Sequence, residues 1–129
     1  MLTTYPQPDN RFAIVAFRGD KSYTIPSPLN GTMIVSDSLI SYSIGLSGKL
    51  QLVSSVAAGG SEPRQFALNR LGDMVAVALQ ADGWVIVLPR DVATGNIGAP
   101  AKEAVVGGLG SEGGQGGSTL GPVCVIWDE

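Results

Sequence analysis

Short apolar runs separated by turn residues dominate the chain. Residues 11–17 (RFAIVAF) are rich in Ile, Val and Phe. Residues 38–44 (SLISYSI) alternate between apolar Leu39 and polar Ser41, then shift phase at Tyr42, and residues 49–56 (KLQLVSSV) alternate cleanly at Leu50 and Leu52. Segments of this length with a period of two predict strands. Gly45-Leu46-Ser47-Gly48 predicts a hairpin between the last two, and Ala57-Ala58-Gly59-Gly60 closes the unit. The pattern then restarts with strand-like segments at 64–69, 74–79 and 84–88, separated by Leu71-Gly72-Asp73 and Ala81-Asp82-Gly83. A weaker strand at 101–106 follows a turn at 91–95. No stretch sustains an apolar period of 3.6 residues, so no helix is predicted.

The two halves repeat. Phe12-Ala13-Ile14-Val15-Ala16-Phe17 lines up with Met74-Val75-Ala76-Val77-Ala78-Leu79, 62 residues on, and Gly48-Lys49 with Gly95-Asn96, 47 residues on. The difference of 15 residues falls in a long loop at 18–36, marked by Pro26, Pro28 and Asn30-Gly31, which reads as an insertion in the first unit. Short strands recurring every ~40–50 residues are the signature of propeller blades. The expected fold is all-β: a partial β-propeller of about two four-stranded antiparallel blades. A single fragment spans 1–129, with blade-like units at about 8–60 and 61–106, an extended polar lead-in before them, a Gly-rich loop at 107–121 and a closing strand at 122–127.

Composition narrows the function. With 129 residues, 44% hydrophobic and 15% charged, the chain has the balance of one packed domain. A net charge of −3 with eight scattered Lys and Arg gives no basic patch for nucleic acid. No apolar run approaches the ~20 residues of a membrane helix. The start, Met1 to Pro8, has no charged region leading into an apolar stretch, so no signal peptide and a cytoplasmic location are expected. In that setting Asn30-Gly31-Thr32 reads as a turn, not a glycosylation site.

The chain has no histidine. Ser-His-Asp triads, Cys-His pairs and His-based metal sites are therefore excluded, and no metal or cofactor is expected. Gly108-Leu109-Gly110-Ser111-Glu112-Gly113 fits G-x-G-x-x-G formally, but more Gly, Ser and Pro follow where a phosphate-binding helix should begin. Gly48-Lys49 runs into Leu50, not Ser or Thr, so it is no P-loop. Asp9, Asp20, Asp73, Asp82 and Asp91 all fall at turns, where Asp has a structural task. Cys124, inside Val123-Cys124-Val125-Ile126-Trp127, reads as a buried structural thiol. Arg64 stands apart: it follows Pro63 and precedes apolar Phe66-Ala67-Leu68. There it either binds a carboxylate or phosphate at a cavity, or forms a structural salt bridge.

Pro63-Arg64-Gln65-Phe66, with residues 72–80 (GDMVAVALQ) and Arg90-Asp91-Val92-Ala93-Thr94-Gly95, resembles a known family. So do residues 8–15 (PDNRFAIV), Ser36-Asp37-Ser38-Leu39 and residues 124–129 (CVIWDE). Together they are similar to the C-terminal third of the lactonase-type seven-bladed β-propellers, on the fungal branch that includes 6-phosphogluconolactonase and carboxy-cis,cis-muconate cyclase. The resemblance implies a metal-independent lactonase or lactonising enzyme without cofactor, acting on a lactone of an acidic sugar or dicarboxylate. The family's site lies in the central channel and draws histidine, glutamate and arginines from several blades. Arg64 matches a channel position, and Gln65 stands where many relatives have histidine, so these two are the substrate-binding candidates. With two blades of seven the chain is expected to be incomplete and inactive alone. The alternative is a non-catalytic propeller fragment that self-associates through its open blade faces.

Overall fold

The computed structural model describes residues 2–6, 11–99, 105–108 and 124–128. Two four-stranded antiparallel sheets carry the fold, and no helix occurs among the described residues. The first sheet has the order β1 (Leu2–Pro6), β2 (Phe12–Phe17), β5 (Ser38–Ile44), β6 (Leu50–Ala57). The second runs β7 (Pro63–Leu68), β8 (Met74–Leu79), β9 (Trp84–Pro89), β10 (Val105–Gly108). The two are equivalent strand for strand. Ile14 of β2 pairs with Ser41, and Ala76, its repeat partner in β8, pairs with Val87 of β9. The polar lead-in thus contains a strand, and it is the counterpart of β7.

The expected loop at 18–36 is instead largely a hairpin. β3 (Tyr23–Pro26) pairs with β4 (Met33–Ser36) as a separate two-stranded sheet, and its turn is held by Ser27 N–H on the Thr32 carbonyl (2.7 Å). Tyr23 and Ser55 of β6 share a hydroxyl–hydroxyl bond of 2.7 Å, which ties the hairpin to the outer strand of the first blade. The β5–β6 register slips where Ser41 pairs with Ser54 and Tyr42 with Leu52, so Val53 of β6 is the extra residue of a β-bulge; β5 stays in regular register with β2 there, and the phase shift at Tyr42 is not a bulge of β5.

The core lies between the two sheets. Ile14, Ala16 and Leu39 of the first pack with Phe66, Val75, Val77, Leu79, Ile86 and Leu88 of the second. Each large side chain buried this way contributes roughly 2 kcal/mol. Polar contacts fix the angle between the blades: Arg11 Nη2 donates to the Ala93 carbonyl (3.0 Å), Ile97 N–H to Ser54 Oγ (3.3 Å) and Trp84 Nε1–H to the Gly59 carbonyl (3.2 Å).

The closing strand expected at 122–127 is described only from Cys124 on, and there it joins no sheet. It runs along β7 in the same direction: Val125 N–H donates to Gln65 Oε1 (2.7 Å) and Trp127 Nε1–H to the Ala67 carbonyl (2.9 Å). Alternate side chains point away, so Ile126 is exposed and Cys124 is an exposed free thiol rather than a buried one. An apolar run in this segment covers β7 with one face only. The weak strand expected at 101–106 is β10, shifted toward the C-terminus; Gly107 and Gly108 of the expected Gly-rich loop belong to it, and residues 109–121 lie outside the described residues.

Candidate functional site

Charged and polar residues collect where β2 and β8 end and where β5 and β7 begin. Asp37, fully buried, organises this end. One carboxylate oxygen accepts the N–H groups of Gly19 (2.9 Å) and Glu62 (2.8 Å), and the other accepts that of Lys21 (2.8 Å). Lys21 and Glu62 both have left-handed backbones, with φ of 51° and 59°. Side chains other than glycine avoid that region at a cost of ~1 kcal/mol or more, and the shared carboxylate holds both there. Ser36 beside it takes the N–H groups of Gly59 (3.2 Å) and Gly60 (3.0 Å). The loop after β2 and the loop before β7 are thus pinned to one buried Ser-Asp pair.

Two further carboxylates brace the same loops. Asp20 accepts from the backbone and hydroxyl of Ser38. Burial pushes its carboxyl up, but hydrogen bonds from Ser38 and Ser22 outweigh this and leave it below its ordinary value of 3.8. Asp82, in the β8–β9 turn, accepts Ser61 N–H. Burial raises Asp82 above 3.8; the Ser61 bond opposes the rise, and the nearby charges of Asp37 and Glu62 add to it.

This scaffold delivers the chain into Pro63 and Arg64. Arg64 sits at the start of β7 with its side chain exposed, its Nη1 3.4 Å from Oε1 of Gln80, the residue after β8. Gln65 is half-buried, and its amide oxygen is taken by Val125 N–H. The two candidates are adjacent in sequence, and Arg64 is the extra residue of a β-bulge between the Pro63–Leu79 and Gln65–Ala78 pairs, where the regular alternation of β7 is broken. Among the described residues, no group of three Asp, Glu, Cys or His side chains is placed to hold a metal ion. A groove of about 930 Å³ opens elsewhere, between the β3–β4 hairpin and β6, lined by Tyr23, Ile25, Pro28, Leu29 and Val56 among others. Neither Arg64 nor Gln65 lines it.

The turn aspartates divide. Asp91 caps its own turn, accepting the N–H groups of Ala93 (2.8 Å) and Thr94 (3.2 Å), and Asp73 accepts Asn69 Nδ2–H (2.6 Å). Asp20 and Asp82 instead bond across 18 and 21 residues. Arg90 is buried, donates to the Gly72 carbonyl (2.7 Å) and lies over the Phe12 ring at 5.2 Å, a packing role. In the sequence Asp37 is marked by the polar Ser36-Asp37-Ser38 step between two strands and by its place in a stretch that carries the family resemblance, neither of which shows its organising role.

Residues 5–125 match the model of the family described as lactonase, 7-bladed beta-propeller. The chain belongs to this family. It is 30% identical over 105 residues to a 6-phosphogluconolactonase of Formosa agariphila, covering 81% of this chain and 26% of that protein. Among solved structures, the periplasmic gluconolactonase of Pseudomonas aeruginosa superposes with a TM-score of 0.64 at 28% identity, over 83% of this chain and 26% of that one. A Lactobacillus plantarum protein superposes at 0.63 with 21% identity, a likeness of fold. This lactonase-propeller chain therefore spans about a quarter of the length of the relatives it matches, in keeping with its two sheets.

Proposed function

We propose that these two blades form part of the wall of a sugar-lactone hydrolase, and that they do not turn over substrate by themselves. The observation that carries this reading is Arg64, held at the mouth of β7 by the Asp37 scaffold in a chain of the lactonase family. A planar guanidinium there would take the carboxylate or phosphate of an acidic sugar lactone, or neutralise charge developing on the lactone carbonyl. With its oxygen committed to Val125, Gln65 would address a ligand through its NH2 group. A hydrolytic site also needs a proton donor or base beside the reacting carbonyl, and without histidine these two blades lack the usual candidate near neutrality. The 6-phosphogluconolactonase relative favours a phosphorylated sugar acid over a dicarboxylate.

The test is binding, followed by side-chain NMR of Arg64 and Gln65 during titration with 6-phosphogluconate. Millimolar 6-phosphogluconate should shift the Arg64 Nε–H signal, and the shift should vanish in Arg64→Ala. An unmoved Arg64 signal at saturating ligand would contradict the assignment.

A further inference from the structure

The groove between the β3–β4 hairpin and β6 has one wall of backbone. β6 is the outermost strand of its sheet, and among the described residues no strand pairs with its outer edge. Bonded and non-bonded pairs alternate along an antiparallel ladder. Ala58 N–H bonds the Asp37 carbonyl (2.8 Å), so Leu39–Val56 and Ser41–Ser54 are bonded pairs and Ser38–Ala57 and Ile40–Ser55 are not. The other side of β5 agrees: Ile44 N–H bonds the Arg11 carbonyl (2.8 Å), which makes Val15–Ile40 a bonded pair, and Ser38 N–H goes to Asp20. The N–H and C=O groups of Ser55 and Ala57 therefore point off the outer edge of β6, and both residues line the groove.

Such an edge is a template for another strand, and proteins blunt it with proline, charge or a bulge. The bulge at Val53 ends the regular edge on one side, but Ser54–Ala57 carries neither proline nor charge. What stands beside it is the hairpin. The first blade passes from β2 to β5 through β3 and β4, where the second turns directly from β8 into β9. The Tyr23–Ser55 bond tethers this hairpin to β6. Its tip is fixed by Gly31 N–H on the Ser27 carbonyl (2.9 Å) and by Asn30 Oδ1, which accepts from the N–H and the hydroxyl of Thr32 (3.1 and 2.7 Å). The ordered tip offers Leu29, 57% exposed, to the groove that Ile25 and Val56 also line. Ala99, after β9, lines it too, so the groove is built from both blades and does not belong to either end of the pair. No Asp, Glu, Lys or Arg is among its lining residues. Backbone amides along a strand edge, beside apolar and uncharged walls, match an uncharged extended peptide with apolar side chains at alternate positions. We propose that an extended segment of another protein binds here as an added strand, pairing its backbone with Ser55 and Ala57 and seating an apolar side chain against Leu29 and Val56.

NMR titration of the isotope-labelled chain with an acetylated, amidated heptapeptide of alternating Thr and Val tests this. Saturable shifts should appear at the Ser55 and Ala57 amides and at the Leu29 and Val56 methyls, with slower hydrogen exchange at the two amides. The same peptide N-methylated throughout should bind about tenfold more weakly or not at all, as the loss of its hydrogen bonds requires. Ala57→Pro removes an outward N–H that the β5–β6 ladder does not use, so it should melt like the parent and weaken the parent peptide by a similar factor; Leu29→Asp, at an exposed site, serves if the proline disturbs β6. Equal affinity for the N-methylated peptide would make the groove a site for small apolar molecules. Concentration-dependent shifts of the two amides without peptide would put a second copy of the chain there, and no shift at millimolar peptide would mean that the edge accepts no strand. Each of these overturns the proposal. The Arg64 signal should stay unmoved throughout, so the result is independent of the sugar-acid reading.

Discussion

The backbone of Gly95 lies flat against the Phe12 ring of the neighbouring blade, so closely that a Cβ on Gly95 would meet a ring carbon at 2.6 Å. Gly95 also has φ of 78°, in the region that side chains avoid. Gly95→Ala therefore combines local strain with a forced separation of the blades, and should lower unfolding free energy by roughly 2–3 kcal/mol. Gly48→Ala, at the same φ but with open space around its Cβ, isolates the strain alone and should cost less. Thermal melts of the pair separate the two contributions; equal losses would show that Phe12 is not the cause.

Asp37→Asn keeps the shape of the side chain but only one accepting oxygen. At least one of the Gly19, Lys21 and Glu62 N–H groups then loses its partner. An orphaned buried donor costs ~1–3 kcal/mol. The variant should melt lower, and amide hydrogen exchange should accelerate at Lys21 and Glu62 before it does in the core strands. Unchanged exchange at both would remove Asp37 from its organising role.

Asp82 carries a penalty that depends on pH. Its folded pKa is raised, so any favourable contribution exists only below the unfolded value and is lost as pH rises through the folded one. Asp82→Asn retains an oxygen for Ser61 N–H and removes the repulsion from Asp37 and Glu62. It should melt higher than the parent at neutral pH, with the gain shrinking as pH falls toward 3.8. Asp20 has the opposite sign: its lowered pKa stabilises above the unfolded value, so Asp20→Asn should cost stability at neutral pH and little in acid. Paired melts across that range check both.

Ser41 of β5 pairs with Ser54 beside the bulge at Val53 of β6, is fully buried, and its hydroxyl has no hydrogen-bond partner among the described residues. Ser41→Ala removes an unsatisfied group and almost no volume. Denaturant unfolding should show a gain of about 1 kcal/mol, and a loss would reveal a partner for that hydroxyl.

The sequence makes legible the strands whose apolar positions alternate, but not the β-bulge, whose extra residue is Val53 of β6 while the phase shift falls at Tyr42 of β5. It hid β1, where Leu2-Thr3-Thr4-Tyr5-Pro6 has little apolar character, and the β3–β4 hairpin, whose Tyr23–Pro26 strand is short and ends in proline. Cys124 is exposed because its apolar run is covered on one face only, a condition that the run itself does not reveal. At the candidate site, Arg64 could be placed at a strand mouth from Pro63 and the apolar residues that follow. The Asp37 hub could not, since its partners are backbone N–H groups 16 to 25 residues away, a relation with no side-chain signature. Gln65 meets Val125 across 60 residues, equally beyond local reading.

The central claim is that these two blades supply a recognition surface but not a complete hydrolytic site. The most direct measurement is hydrolysis of 6-phosphogluconolactone by the purified monomer, with Arg64→Ala alongside and a muconate-type lactone as second substrate. The account predicts rates at the spontaneous background for the parent and the variant on both lactones. Turnover well above background in the monomer, abolished by Arg64→Ala, would contradict it and place a complete active site within these two blades.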